Sequence, residues 1–393
     1  MLVALDEKNE LIYANSLKEV AQTTNHYYCP NCKDYVFLKK GSLKVAHFSH
    51  FSQTNCSSFS EGETREHLQG KQLLYEWFTK QGLICQLEAY LPNLNQRPDI
   101  LVWISQTKAI AIEFQCSSLP LKRMIERTVG YKSKGYDVLW IVGSQFKLDD
   151  KITAFQRLFI YGNAQIKSSL FFLDVIKRTV YFYSNIQQKN TTQKITYDKY
   201  LIKLDQFTLV DVPVLMKKIS NKTKSKKSEE LPKSNELMQS HNFLNQGRMY
   251  QTPEVVLFQK YIYHRGDSLI SLPKEIYLVV TDQIMIKTLP HFWKYILLKW
   301  LSQNNIHSVI TLKQLDKQIN EMIKNKEIIF YKMPLLSLEE QKKPLYCYIR
   351  LLIKVAILEE KDSNQWILRR KPYYYKNEQE KMASFSKEFS LSN

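Results

Sequence analysis

Residues 99–104 and 109–115 form two nearly continuous apolar runs joined by only four polar residues, Ser105, Gln106, Thr107 and Lys108. Short apolar runs that do not alternate are expected of strands covered on both faces, so the fold must supply a layer on each side of this pair. Asp99 opens the first run and Glu113 stands near the end of the second. Gln115 lies two residues beyond Glu113 and leaves the same face of the strand. A carboxylate closing an apolar strand is costly to bury without a partner or a metal. A divalent cation that must touch a phosphate needs hard oxygen ligands converging from adjacent strands. Asp99 and Glu113 are therefore candidate Mg²⁺ or Mn²⁺ ligands, with Gln115 beside them.

The flanking sequence supplies the covering layers. A helix is expected from about Glu63 to Lys80, with Leu73, Leu74, Trp77 and Phe78 at helical spacing and Gly82 ending it. Glu63, His67 and Lys71 recur every four residues and share a face. A strand over 83–89 precedes the hairpin, and a second helix spans 120–134, opened by Pro120 and closed by Gly135. Asp137–Gly143 reads as a further buried strand. The expected order is αβββαβ.

The first sixty residues read differently. Short strand-like runs surround Cys29-x2-Cys32, His47-x2-His50 and Cys56. Two thiolates from one tight turn and two imidazoles further on are four-coordinate zinc chemistry, with five candidates for four places. A full protein ligand set leaves no open position, so the expected role is structural. The N-terminus carries early acids and no long apolar core, so it does not read as a secretory signal. The cysteines then read as metal ligands and buried thiols rather than a disulfide framework.

A chain of 393 residues is expected to hold two or three domains. No run of 18 apolar residues occurs, so no membrane span is expected. Net charge is +18, and its placement is uneven: residues 1–150 hold 17 Lys/Arg against 16 Asp/Glu, the remainder 39 against 22. A basic region beside a metal site suits a polyanionic partner. Boundaries are expected at 1–60 for a zinc-ribbon-like segment, 61–150 for the α/β core, and 151–215 for a mixed extension. A Lys-rich linker at 216–240 and a mainly helical basic region at 241–393 follow. Lys217, Lys218, Lys222, Lys224, Lys226 and Lys227 crowd the linker and, with Arg97, are the candidate DNA contacts. Helices near 291–303, 311–324 and 343–358, then a hairpin about Asp362-Ser363-Asn364, would suit a winged helix.

Taken in order, Cys29-x2-Cys32, His47-Phe48-Ser49-His50, Glu66-His67-x3-Lys71, Arg97-Pro98-Asp99 and Glu113-Phe114-Gln115-Cys116 resemble the CoiA competence-protein family of transformable Gram-positive bacteria. The match covers roughly residues 1–145. It implies a cytoplasmic protein with a nuclease-like domain of the PD-(D/E)XK, restriction-endonuclease-like kind, with Gln115 where Lys is usual. It further implies action on incoming single-stranded DNA during transformation, alongside RecA-type recombinases and DNA-processing proteins.

On that reading Asp99 and Glu113 hold the metal and Gln115 orients a water. Lys71 supplies the missing cation, Glu66 or Glu63 adds an acid, and His67 contacts a phosphate or orients an acid. The competing expectation is a DNA-binding adaptor whose nuclease-like core does not cut, handing strands to recombination proteins. A third is a zinc-ribbon nuclease of defence or repair type.

Overall fold

A computed structural model of the chain describes residues 1–17, 26–41, 44–51, 56, 63–162, 167–188, 194–225, 231–280, 283–387 and 389. Two compact units emerge. The first comprises residues 1–148, 169–184 and 199–219, the second 149–168, 185–198 and 220–393. The small β segment and the α/β core, expected as separate domains, thus fall in one unit.

The chain opens with β1 (Val3–Leu5), β2 (Leu11–Tyr13), β3 (Tyr27–Tyr28), β4 (Tyr35–Gly41) and β5 (Lys44–His50), which form one sheet in the order β2-β1-β3-β4-β5. Its inner face packs Met1, Ala4, Val36, Ala46 and Phe48 around Cys29 and Cys56.

Helix α1 (Arg65–Lys80) follows, capped by Thr64, whose hydroxyl accepts from His67 N. Then come β6 (Ile84–Leu87), β7 (Ile100–Trp103), β8 (Ala109–Gln115), α2 (Leu121–Ser133) and β9 (Asp137–Val142). With β10 (Leu170–Asp174), β11 (Thr179–Gln188) and β12 (Ile195–Lys203) they give a seven-stranded sheet in the order β12-β11-β10-β9-β8-β7-β6. Strands β6, β7 and β8 run antiparallel in turn, and β8–β9 and β9–β10 are parallel. Parallel neighbours need a crossover, and α2 is the one between β8 and β9.

The apolar runs behave as strands buried on both faces. Ile100, Val102, Ile112 and Phe114 pack with Leu68, Leu73 and Leu74 of α1. The alternate residues Leu101, Ala109, Ala111 and Glu113 are buried too. The β7–β8 register pairs Ile100 with Ile112, so one step further Asp99 stands across from Glu113.

The second unit is mainly helical: α3 (Ala154–Arg157), then α4 (Val212–Ser225, begun in the first unit), α5 (Ser234–Met249), α6 (Pro253–Tyr263), α7 (Pro290–Ser302), α8 (Leu312–Lys324), α9 (Leu338–Lys354) and α10 (Glu378–Ser386). The stretch expected as a linker from 216 is helical to Ser225. Val212, Leu215, Met216 and Ile219 recur at helical spacing there, and Ile219 is buried. Strands β13 (Val309–Thr311), β14 (Leu358–Asp362) and β15 (Gln365–Leu368) pair antiparallel in the order β13-β15-β14. The sequence α7-β13-α8-α9-β14-β15 with that strand order is the connectivity of a winged helix. Its core holds Trp293, Leu297, Leu315, Ile319, Leu345, Tyr348 and Leu352.

The α1–β8 contact is tight at Gly70. A Cβ there would lie 2.0 Å from Cε1 of the buried Phe114 ring. Helix propensity alone favours Gly70→Ala by about 1 kcal/mol. Overpacking against a ring that cannot withdraw reverses the sign, so thermal or denaturant unfolding of Gly70→Ala is expected to show a loss of about 1–3 kcal/mol.

Candidate active site and metal centre

The α1 face carrying His67 and Lys71 turns toward the start of β7. Asp99 Oδ2 accepts from Phe114 N at 2.8 Å and lies 3.1 Å from His67 Nε2, so one oxygen joins β7, β8 and α1. Oδ1 lies 3.9 Å from Lys71 Nζ. Burial works against the charged carboxylate, but His67, Lys71 and Arg127 outweigh it and hold Asp99 well below the usual carboxylate range.

Lys71 is fully buried, with its ammonium between the carboxylates of Glu63 and Glu88. Glu88 also accepts from Leu2 N at 3.0 Å, and Glu63 from the Met1 nitrogen at 2.5 Å. Burial opposes charge on all three side chains. The ion pairs prevail, keeping both acids below their ordinary values and Lys71 above its own. Glu88 has φ 51°, a left-handed conformation that costs a residue with a Cβ energy unless its surroundings impose it. Its N–H donates to Asp99 O at 2.8 Å, so the strained residue also seats the acid opposite.

Glu113 is 1% exposed. Tyr131 OH donates to its Oε1 at 2.6 Å, and Arg127 Nη2 to its Oε2 at 2.5 Å. Burial pushes this carboxyl up, to about 8, against the pull of Arg127. Arg127 Nη2 also donates to Arg97 O at 3.3 Å, and the guanidinium lies 5.5 Å from the Trp140 ring centroid. Arg127 and Tyr131 are four residues apart on α2, on its inner face.

A cavity of about 630 Å³ opens over these groups. Glu63, Thr64, His67, Arg97, Asp99, Phe114, Gln115 and Ser117 line it, and Lys122, Arg123, Glu126 and Arg127 of α2 form another wall. Glu113 is not among the lining residues. Gln115 faces the cavity with its amide donating to Ser117 O at 2.9 Å.

Several sequence expectations meet here and others do not. His67, Asp99, Gln115 and Arg97 share the cavity. Lys71 is beside Asp99 but shut behind Glu63 and Glu88. Glu66 points elsewhere: both its oxygens accept from Ser144, from N and Oγ at 2.7 Å each, since one residue along a helix turns a side chain by about 100°. Lys217 and Lys218 lie on α4 and do not line the cavity. For Lys222 and Lys224 only the helical backbone is described, and Lys226 and Lys227 lie outside the described residues. Arg127, Tyr131 and Glu88 were missed. The Arg127/Tyr131 spacing on a helix packed against the acid-bearing strand was the available signal, and Glu88 gave none.

The second constellation is in the small sheet. Cys29, Cys32, His50 and Cys56 bring their ligand atoms within 4.8 Å of one another, and Cys32 Sγ lies 3.3 Å from His50 Nε2. The Cys29–Cys32 turn between β3 and β4 is closed by Lys33 N→Cys29 O at 3.0 Å, with Lys33 at φ 62°. Three sulfurs and one imidazole at this separation could hold a metal ion, and the donor set suits tetrahedral zinc. His47 is the one of the five candidates left out. It and His50 are three apart on β5, so they leave opposite faces, and its Nδ1 lies 2.8 Å from Val45 O.

Residues 63–214 match the family model described as Competence protein CoiA, nuclease-like domain. Residues 11–59 match its N-terminal domain and 231–382 its C-terminal domain. Competence protein CoiA of Bacillus subtilis (strain 168) is 35% identical over 117 residues. That stretch covers 30% of this chain and 31% of the relative's length. No solved structure matches the chain. No described helix is long and apolar enough to cross a membrane.

Because Asp99 is held below its unfolded value of 3.8, its contribution to stability is present above that pH and is lost as pH falls through the folded value. Asp99→Asn is expected to lose stability near neutrality, and its deficit against the parent should shrink below about pH 3.8 in denaturant titrations. For the cysteine cluster, metal content measured after purification should fall on His50→Ala and persist on His47→Ala.

Proposed function

The chain belongs to the CoiA competence-protein family, with a nuclease-like domain over residues 63–214, and from that premise we propose a metal-dependent phosphodiesterase acting on DNA during natural transformation. The observation that carries the reading is the placement of Asp99 across from Glu113 on antiparallel strands, under a cavity bordered by Arg97, Lys122, Arg123 and Arg127. The element order α1-β6-β7-β8-α2-β9 agrees with a PD-(D/E)XK core. Four cations around a buried acid suit a phosphodiester rather than a neutral substrate.

The donor chemistry fits a hard divalent ion: Asp99 and Glu113 offer carboxylate oxygens and would hold Mg²⁺ or Mn²⁺. Glu113 reaches such an ion only by exchanging Arg127 for it, because both its oxygens are engaged. The ion would polarise the phosphate and lower the pKa of a water. His67 fixes Asp99, Gln115 orients the water, and the basic wall orients the strand. Water adds across one P–O ester bond, leaving a phosphomonoester and a hydroxyl. Zinc at Cys29, Cys32, His50 and Cys56 is structural on this reading, holding the sheet whose first strand follows Met1 and Leu2, the residues that meet Glu63 and Glu88. The substrate is incoming single-stranded DNA in the cytoplasm, passed on to a RecA-type recombinase or DNA-processing protein.

A second reading, a non-cutting adaptor, is favoured by two observations: Glu113 is closed off by Arg127 and Tyr131, and Gln115 is neutral. Labelled single- and double-stranded DNA incubated with Mg²⁺, Mn²⁺ or EDTA separates the two. Asp99→Ala and Glu113→Ala are expected to lower metal-dependent cleavage by about 100-fold or more while DNA binding persists. Full cutting by both variants would end the hydrolase reading, and normal transformation by Asp99→Ala cells would favour the adaptor.

A further inference from the structure

We propose that Arg127 is the phosphate-facing cation of this site, acting from α2 where position 115 on β8 is a neutral glutamine. The inference rests on the hydrolase reading above. Its ground is a comparison of the cations near the two acids. Lys71 is fully buried and held by Glu63 and Glu88. The Arg97 guanidinium lies 3.5 Å from Glu88 Oε2 and 3.6 Å from Met1 Sδ. Lys122 has 89% of its side chain exposed, far out on the rim.

Among the described side chains that stay charged, Arg127 touches Glu113, lines the opening and keeps 19% of its side chain exposed; Arg123 shares the lining, and His67 touches Asp99 but is a cation only when protonated. The bonds of Arg127 to Glu113 and to Arg97 O both come from Nη2. A guanidinium carries five donors in a planar fork and stays charged, which suits two phosphate oxygens at once. Trp140 Nε1 donates to Thr128 Oγ1 at 3.1 Å beneath it, locking the turn of α2 that bears it. Arg127 already lines the opening, and if Glu113 were to turn to a divalent ion more of its fork would be free to meet a phosphate there. Tyr131 keeps its 2.6 Å bond to the other oxygen of Glu113, so the carboxylate pivots rather than drifts.

The test uses the full chain with Arg127→Gln, Arg127→Lys and Asp99→Ala. Mn²⁺ isotherms establish occupancy, and single-strand affinity is measured in EDTA. Thermal melts identify any variant that fails to fold, for which Arg127→Lys takes over as the measured variant. At Mn²⁺ concentrations that fill the site, Arg127→Gln should lower kcat by about 100-fold or more, as removal of one transition-state donor does elsewhere. It should also weaken single-strand binding in EDTA, and Arg127→Lys should restore part of both. Parental kcat in Arg127→Gln at full occupancy overturns the proposal, because Arg127 is then only a charge partner of Glu113. A parent chain that does not cut, or an Asp99→Ala variant that cuts equally well, overturns the hydrolase reading instead.

Discussion

Burying the Lys71 ammonium between Glu63 and Glu88 is the constraint around which the first unit is arranged. A lone charge in this interior would cost several kcal/mol, and removing one partner of such a group leaves the other stranded. The pairs draw in segments far apart in sequence: Glu63 ahead of α1, Lys71 within it, Glu88 after β6, and the backbone of residues 1 and 2. Asp99 joins the same field from β7. The acid that faces the cavity is therefore tied from behind to Lys71, a charge that does not line it. This explains why Lys71, attractive as a catalytic cation from its spacing, is structural in placement.

Much of the core was legible. Apolar runs too short for helices and without alternation gave β7, β8 and β9, and helical spacing with Pro and Gly punctuation gave α1 and α2. What spacing does not carry is the identity of the partner across space. Glu66 and Lys71 lie on one helix, yet Glu66 meets Ser144, 78 residues on, and Lys71 meets Glu88. The His47/His50 pair reads as one ligand motif on a turn or helix, and becomes two opposite-facing residues once the segment is a strand. The lysine crowd near 217–227 suggested a linker, whereas the apolar spacing on α4 carries a helix as far as Ser225.

The second unit shows how connectivity and chemistry part company. Its winged-helix order is complete, but α9 buries Lys342, Leu345, Tyr348, Ile349 and Leu352, and its first turn carries Glu339 and Glu340. The β14–β15 hairpin bears Glu359, Glu360 and Asp362 beside Lys361. Neither element is strongly basic, while α8 carries Lys313, Lys317 and Lys324 along one side. The expectation that a winged helix follows from helices plus a hairpin was sound as topology and says little about what the surface meets.

The bond from Glu66 to Ser144 has a mechanical meaning. It fastens the first turn of α1 to the residue just past the parallel strand β9, while Gln96 Nε2 donates to Glu126 O of α2 at 3.0 Å across the other rim. Both jaws of the opening are thus riveted to the scaffold by side chains that do no chemistry. Pinned on two sides in this way, α1 and α2 take their separation from the scaffold that carries them rather than from the side chains that line the opening.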